Sequence, residues 1–338
     1  MIASVQSVSF LQPLSGLSAV LVSRTAVWLE LISIWKALKR WGVVRVIVGV
    51  HGIAQQQLGP KQLARAWVPA LEDGVQIASG RKVLAIPFKL AFYGNVFLNT
   101  LTTSHKGSAD VWSGLGAEDD TSGEGAELVA AAREMLTEEE WAAAASQESK
   151  GYIRTPAAVQ VMLRALDAKF GPSAGVLYLG ALRQVRRYLV DDALKAEVDR
   201  LVAAAVPAEC RVLVGHSLGS VVALEYVRQH PEHELDLLLT VGSPLGLRMV
   251  TSRLPVPFFG ADSPGGVPAT VGMWVNVRDP HDPVACAGDL HPSWPGVQDR
   301  HVENEGDAHS VARYLSKTET GEAILAVSPP IDWTEPTS

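Results

Sequence analysis

The sequence predicts an α/β fold built on a largely parallel sheet, and three observations lead there. Short runs rich in Val, Ile and Leu alternate along the chain with longer stretches of helical periodicity. The first two runs, residues 43–50 and 82–86, flank a helical stretch, and the right-handed crossover rule places such a strand–helix–strand unit in a parallel sheet. Farther on, Arg211-Val212-Leu213-Val214 passes through the pentapeptide Gly215-His216-Ser217-Leu218-Gly219 directly into another helical stretch.

From the beginning of the chain, residues 7–22 are moderately apolar but interrupted by Pro13, Gly16 and several serines, and no basic segment precedes them. Neither an export signal nor a membrane span is expected there, so a cytoplasmic location is the reading, with secretion left open. Trp28, Leu31, Ile32, Trp35 and Leu38, followed by Lys39 and Arg40, predict an amphipathic helix with a basic end. It suits packing on the body of the protein or an extension over residues 1–42; membrane contact through its tryptophans has no further support. Residues 43–50 are the strongest strand signal of the first third and run into His51-Gly52-Ile53. Residues 59–70 read as a helix and 82–86 as the next strand, ended by Pro87.

Residues 88–181 form a long connection with a glycine- and acid-rich loop at 114–125, a helix over about 126–145 and a second over 156–170. An amphipathic helix is predicted over 182–205, before the strand 211–214. The helix after the pentapeptide stops at His230-Pro231, because proline cannot continue it. Residues 235–241 read as a strand leading into Gly242-Ser243-Pro244-Leu245-Gly246. Residues 271–277 read as another, leading into Arg278-Asp279-Pro280-His281-Asp282-Pro283-Val284. The last motif runs from Asp307 through His309 to Leu315, and residues 326–338 are a tail.

Serine is a favoured helix N-cap, which is the plain reading of Ser217. With 29 glycines in 338 residues, a bare G-x-S-x-G also carries little weight. The order of what surrounds it carries more: a strand–turn–helix context, an Asp-Pro-Val turn after a later strand, then a histidine loop entering a last helix. In these motifs the chain resembles the α/β-hydrolase superfamily, and within it the bacterial lipase- and esterase-like serine hydrolases. The resemblance covers about residues 43–315 and departs most over 88–181. It implies a mostly parallel, doubly wound sheet with helices on both faces, in a domain over 43–325 with an inserted helical cap or lid about 88–181. Phe92, Tyr93, Phe97, Trp112 and Trp141 then either line a pocket under the lid or form the core of a satellite subdomain.

The resemblance also implies roles. Ser217 is the nucleophile, Asp282 the triad acid and His309 the base, since a neutral hydroxyl needs an imidazole to take its proton and a carboxylate to orient that imidazole. The backbone N–H groups of Leu218 and Ile53 are the oxyanion donors. His51, Gly52 and His216 are weak substrate-contact candidates; His51 also suits a brace for the loop, and His216 is the variable position of the pentapeptide. Asp279 and Asp289 compete with Asp282, because each can organise a turn. His291 and His301 compete with His309 among the chain's nine histidines.

At 47% hydrophobic and 19% charged residues the chain can bury a large core. A net charge of −7 argues against a nucleic-acid surface, and the cluster Arg183, Arg186, Arg187 reads as the solvated face of a helix. Two distant cysteines, Cys210 and Cys286, make no disulfide framework and read as buried thiols. No metal- or nucleotide-binding motif occurs, so no cofactor is expected. The expected partner is a small ester or acyl compound. The motifs leave ester hydrolysis, thioester cleavage and acyl transfer open, together with a hydrolase fold serving as a receptor.

Overall fold

Strand β1 (Val46–Val50) lies inside a six-stranded sheet, with neighbours drawn from two distant parts of the chain. The remaining strands are β2 (Val83–Ala85), β3 (Phe88–Ala91), β4 (Cys210–His216), β5 (Leu235–Val241), β6 (Val271–Arg278), β7 (Gln298–His301) and β8 (Asp332–Trp333). The large sheet has the order β3-β1-β4-β5-β6-β7, and all its pairings are parallel. These facts come from a computed structural model that describes residues 46–52, 59–98, 123–147, 156–254, 266–327 and 331–333. The expected N-terminal helix, Ile53, Trp112 and most of the 114–125 loop lie outside the described residues.

Parallel strands need crossovers. Between β1 and β3 runs α1 (Pro60–Ser79). Between β3 and β4 come α2 (Gly94–Leu98), α3 (Glu124–Arg133), α4 (Glu138–Ala145), α5 (Ala157–Phe170), α6 (Ala174–Val190) and α7 (Asp192–Ala205). Helix α8 (Leu218–Gln229) links β4 to β5, α9 (Arg248–Thr251) precedes β6, and α10 (Val311–Leu315) and α11 (Thr318–Ala326) follow β7. Side chains of one strand alternate between two apolar layers. Ile47, Val212, Val214, Leu237, Leu239 and Val275 meet Trp67 and Leu71 of α1 and Ile324 of α11. Val48, Leu213, Leu238 and Trp274 face the other way, toward Leu182 and Val185 of α6 and Val221 of α8. Coverage on both faces explains why the strands read as continuous apolar runs. Each fully buried Leu or Val stabilises the fold by about 1.5–3 kcal/mol.

Several expectations change. The strand read at 82–86 is not in the large sheet: β2 pairs antiparallel with β8, which draws part of the supposed tail into structure. The strand that instead pairs in parallel with β1 on the side away from β4 is β3, immediately after Pro87, whose carbonyl accepts the Ile47 N–H at 2.9 Å. Residues 88–91 therefore belong to the sheet and not to an insertion. The helix expected over 126–145 is two, because Thr137 caps α4 in a capping box with Glu140. The helix expected over 182–205 is also two, α7 beginning where the Asp191 carboxylate accepts from Leu194 N at 3.0 Å.

Among the described residues between β3 and β4, no separate core forms. Tyr93, Phe97, Leu128, Met162 and Tyr178 join the apolar layer of the sheet. The choice between pocket lining and core thus falls to core for Tyr93 and Phe97, while Phe92 and Trp141 are half-buried. The arginine cluster is likewise no solvated face. Arg183 pairs with Glu124 at 3.1 Å, and Arg186 and Arg253 both pair with Glu127 at 2.7 Å, an i, i+3 ladder that docks α3 on α6. Cys210 is buried, and burial pushes its thiol up to about 12; Cys286 is only half-buried, and both are free. Among the described residues, no helix is long and apolar enough to cross a membrane.

Candidate active site

The chain leaves β1 toward β3 on one side and returns to β4 on the other, so the loops after β1 and β4 part at adjacent strand ends. Such a reversal opens a crevice at the carboxyl edge of a parallel sheet. Ser217 is the single residue between β4 and α8, with φ 55° and ψ −127°. This conformation is strained for a side chain with a Cβ and costs on the order of 1–3 kcal/mol. Neighbouring bonds hold it there. Ser217 N donates to Val241 O at 3.1 Å, and the Ser217 carbonyl accepts from Ser220 N at 3.0 Å and Ser220 Oγ at 2.6 Å. With the Ser220 proton so committed, Ser243 Oγ donates to Ser220 Oγ at 2.7 Å and accepts from Leu245 N at 3.2 Å. Gly219 lets α8 press against β1, because a Cβ there would collide with the Val50 carbonyl.

Asp282, in the turn after β6, faces His309, in the loop after β7. The imidazole Nδ1–H donates to Asp282 at 2.8 Å (Oδ2) and 3.0 Å (Oδ1), which leaves Nε2 with its lone pair free to accept a proton. Asp282 Oδ1 also accepts from Val284 N at 2.8 Å, and Oδ2 from the Tyr314 hydroxyl at 2.8 Å. Burial works to raise this carboxyl, but the charge and hydrogen bond of His309, with those from Val284 and Tyr314, outweigh it and hold it below its ordinary value.

The competing residues are engaged elsewhere. Asp279 Oδ1 accepts from His281 N at 2.7 Å and Oδ2 from Asn304 N at 2.5 Å; Asn304 Nδ2 in turn donates to Ala308 O at 3.0 Å. Asp279 thus braces the loop that carries His309. Asp289 pairs with Arg278 and His301, both at 2.7 Å, and the His291 N–H donates to Asp299.

His216 and His51 are buried and turned to the backbone. A carbonyl only accepts, so His216 Nε2–H donates to His309 O at 3.0 Å, tying the His309 loop to the end of β4, next to Ser217. Burial first, and then the neighbouring His309, lower the His216 imidazole to about 3. His51 Nδ1–H donates to Gly52 O at 2.7 Å, and its Nε2 accepts from Tyr93 N at 3.1 Å; the Tyr93 hydroxyl donates to the His51 carbonyl and its ring stacks on the imidazole. Burial lowers His51 to about 4 against the Gly52 bond, so both rings are neutral at pH 7. Gly52 lies so close to the elbow that a Cβ would sit 2.7 Å from Ser217 Cβ.

Ser217 Oγ and His309 Nε2 are both buried, and neither makes a hydrogen bond to any described residue. No serine–imidazole hydrogen bond is therefore formed here. Leu218 is the first residue of α8, so its N–H has no partner within the helix. The other expected oxyanion donor, Ile53, is outside the described residues. Among the described residues, no group of three or more His, Cys, Asp or Glu is arranged to hold a metal ion.

Sequence reasoning missed Tyr314, Asn304 and the Ser220–Ser243 pair. Tyr314 sits in the motif after His309, but only the fold turns its phenol onto Asp282. No protein-family model, curated protein or solved structure matches the chain.

Proposed function

We propose that this protein is a serine hydrolase of the α/β-hydrolase type that cleaves carboxylic esters, in the manner of lipases and esterases, through an acyl-enzyme. The observation that carries this reading is a strained, strand-to-helix serine whose chain neighbour His216 is bonded to the His309 carbonyl, at 3.0 Å, while the His309 imidazole is held by a buried carboxylate at 2.8 Å. In the reaction Ser217 Oγ attacks the ester carbonyl while His309 Nε2 takes its proton, and Asp282 stabilises the imidazolium. The Leu218 N–H donates a hydrogen bond to the developing oxyanion. Collapse of the tetrahedral species breaks the ester C–O bond, and His309 returns the proton to the departing alcohol. Water, deprotonated by the same nitrogen, then releases the acid and restores the serine.

A fluorophosphonate probe with mass mapping of the modified peptide tests this, beside p-nitrophenyl esters of graded chain length. Modification at Ser217 with turnover is the expected result, and Ser217→Ala should abolish both while the protein stays folded. Turnover retained by Ser217→Ala refutes the assignment. One observation favours a second reading, a receptor that binds an acyl compound without turnover: Ser217 is fully buried and its Oγ is unbonded. Stoichiometric binding of a small ester with neither labelling nor hydrolysis would select it.

A further inference from the structure

The phenol of Tyr314 is fully buried and makes two hydrogen bonds, both at the acid end of the site. It accepts from the Asp279 N–H at 2.9 Å and donates to Asp282 Oδ2 at 2.8 Å. That oxygen is also the nearer acceptor for His309 Nδ1–H, at 2.8 Å. Room for this three-way contact exists because residue 242 is glycine with φ 56°. A Cβ there would lie 2.9 Å from the Tyr314 ring, 3.0 Å from Asp282 Oδ2 and 3.4 Å from His309 Nδ1. The Gly242-Ser243-Pro244 turn after β5 thereby gains a purpose that its sequence did not disclose.

We propose that Tyr314 is the positioning residue of this site, its phenol sharing one carboxylate oxygen with the catalytic imidazole and setting how much of the Asp282 charge the imidazole feels. The assignment rests on the hydrolase reading above. A phenol that donates to the carboxylate withdraws charge from the atom facing His309. It also orients the carboxylate, because Oδ1 is anchored by Val284 N and Oδ2 by Tyr314. Burial, followed by the Asp282 charge, raises the phenol far above its ordinary value, so it remains a donor throughout the working pH range. The other ionisable groups around the pair are Asp279 at the end of β6 and His216 on β4, with His51 beyond His216. Tyr314→Phe also takes the acceptor from the Asp279 N–H, whereas a fluorinated phenol keeps it.

Two variants pull in opposite directions. Tyr314→Phe keeps the ring and removes the donor, so more carboxylate charge faces the imidazole and its protonated, inactive form persists to higher pH. The acid limb of kcat/KM should move up by about half a pH unit or more, with kcat reduced about tenfold and KM unchanged. Site-specific Tyr314→3-fluorotyrosine keeps the shape and makes the phenol a stronger donor, so the limb should move down. The rate of fluorophosphonate labelling at Ser217 should follow the same two shifts, and so should the NMR titration of the His309 ring protons.

A limb that stays where it is in both variants overturns the assignment, whether activity is kept or lost equally at every pH. If Tyr314→Phe does not fold, the fluorotyrosine protein decides alone. If the wild-type protein is neither labelled nor active, the hydrolase reading has failed. The His309 titration then still tells whether the phenol governs the imidazole.

Discussion

Two buried, neutral histidines, His216 next to Ser217 in the chain and His51 next to Gly52, make the fold sensitive to mild acid. His51 titrates at about 4 and His216 at about 3 in the folded protein, against 6.5 for an exposed imidazole. The sign follows from the order of these values. As pH falls below 6.5 the unfolded chain binds protons that the folded chain refuses, so stability declines until the folded values are reached. Between pH 7 and pH 5 each residue should remove about 2 kcal/mol and the pair about 4 kcal/mol. That is a large share of the roughly 5–15 kcal/mol that holds a typical domain. The measurement is urea denaturation at pH 7, 6 and 5, followed by the fluorescence of the chain's nine tryptophans. Between pH 6 and 5 the two residues should add a slope of about 2.4 kcal/mol per pH unit, and His216→Asn or His51→Asn should each remove about half of it. Each substitution also lowers stability by a constant amount, which does not affect the slope. An unchanged slope in either variant would refute the reasoning, because that ring would then not be held neutral by burial.

Three further outcomes are expected. Asp282→Asn should lower kcat/KM by about a thousandfold or more, whereas Asp279→Asn should mainly lower the unfolding midpoint, since it braces the Asn304 loop; equal losses of activity would contradict the division of roles. Gly52→Ala brings a methyl 2.7 Å from Ser217 Cβ and 3.0 Å from the His216 carbonyl, so ester turnover should fall by about tenfold or more in a protein that still melts cooperatively, as differential scanning calorimetry can show. Glu225 is buried on α8 between Lys195 at 2.7 Å and Arg228 at 2.8 Å, and Glu225→Ala should cost about 3 kcal/mol in chemical denaturation without changing KM; a loss under 1 kcal/mol would mean that the pair is solvated.

The parts of the fold legible in the sequence are those written in local chemistry. Strands β4, β5 and β6 appear as apolar runs rich in Val and Leu, and the end of α8 is marked by Pro231. The two helix breaks were also written locally, in Thr137 with Glu140 and in Asp191, but a continuous apolar periodicity masked them. Residues 82–91 illustrate a harder case. Two short runs flank Pro87, and only pairing with β1 or β8 decides which belongs to the large sheet. At the candidate site, Ser217 and His309 follow from motif order, while Asp279 and Asp282 lie three residues apart in one turn. Which carboxylate meets the imidazole depends on how the turn after β6 packs against the loop after β7, a tertiary fact. The same holds for the Ser243–Ser220 relay that fixes the Ser217 carbonyl, since one partner lies on helix α8 and the other in the turn after β5.

The distance along the chain between the two halves of the site has a consequence for biosynthesis. His216 meets His309 across 93 positions of sequence, and the strand that carries the base to this edge is the last of the large sheet. A ribosome delivers Ser217 long before its imidazole. For the first part of that interval β4 is also missing the β5 neighbour, whose Val241 carbonyl anchors the serine N–H. Under the hydrolase reading the nascent protein is chemically silent until its final strands are made, and fragments ending before His309 carry a nucleophile that cannot fire.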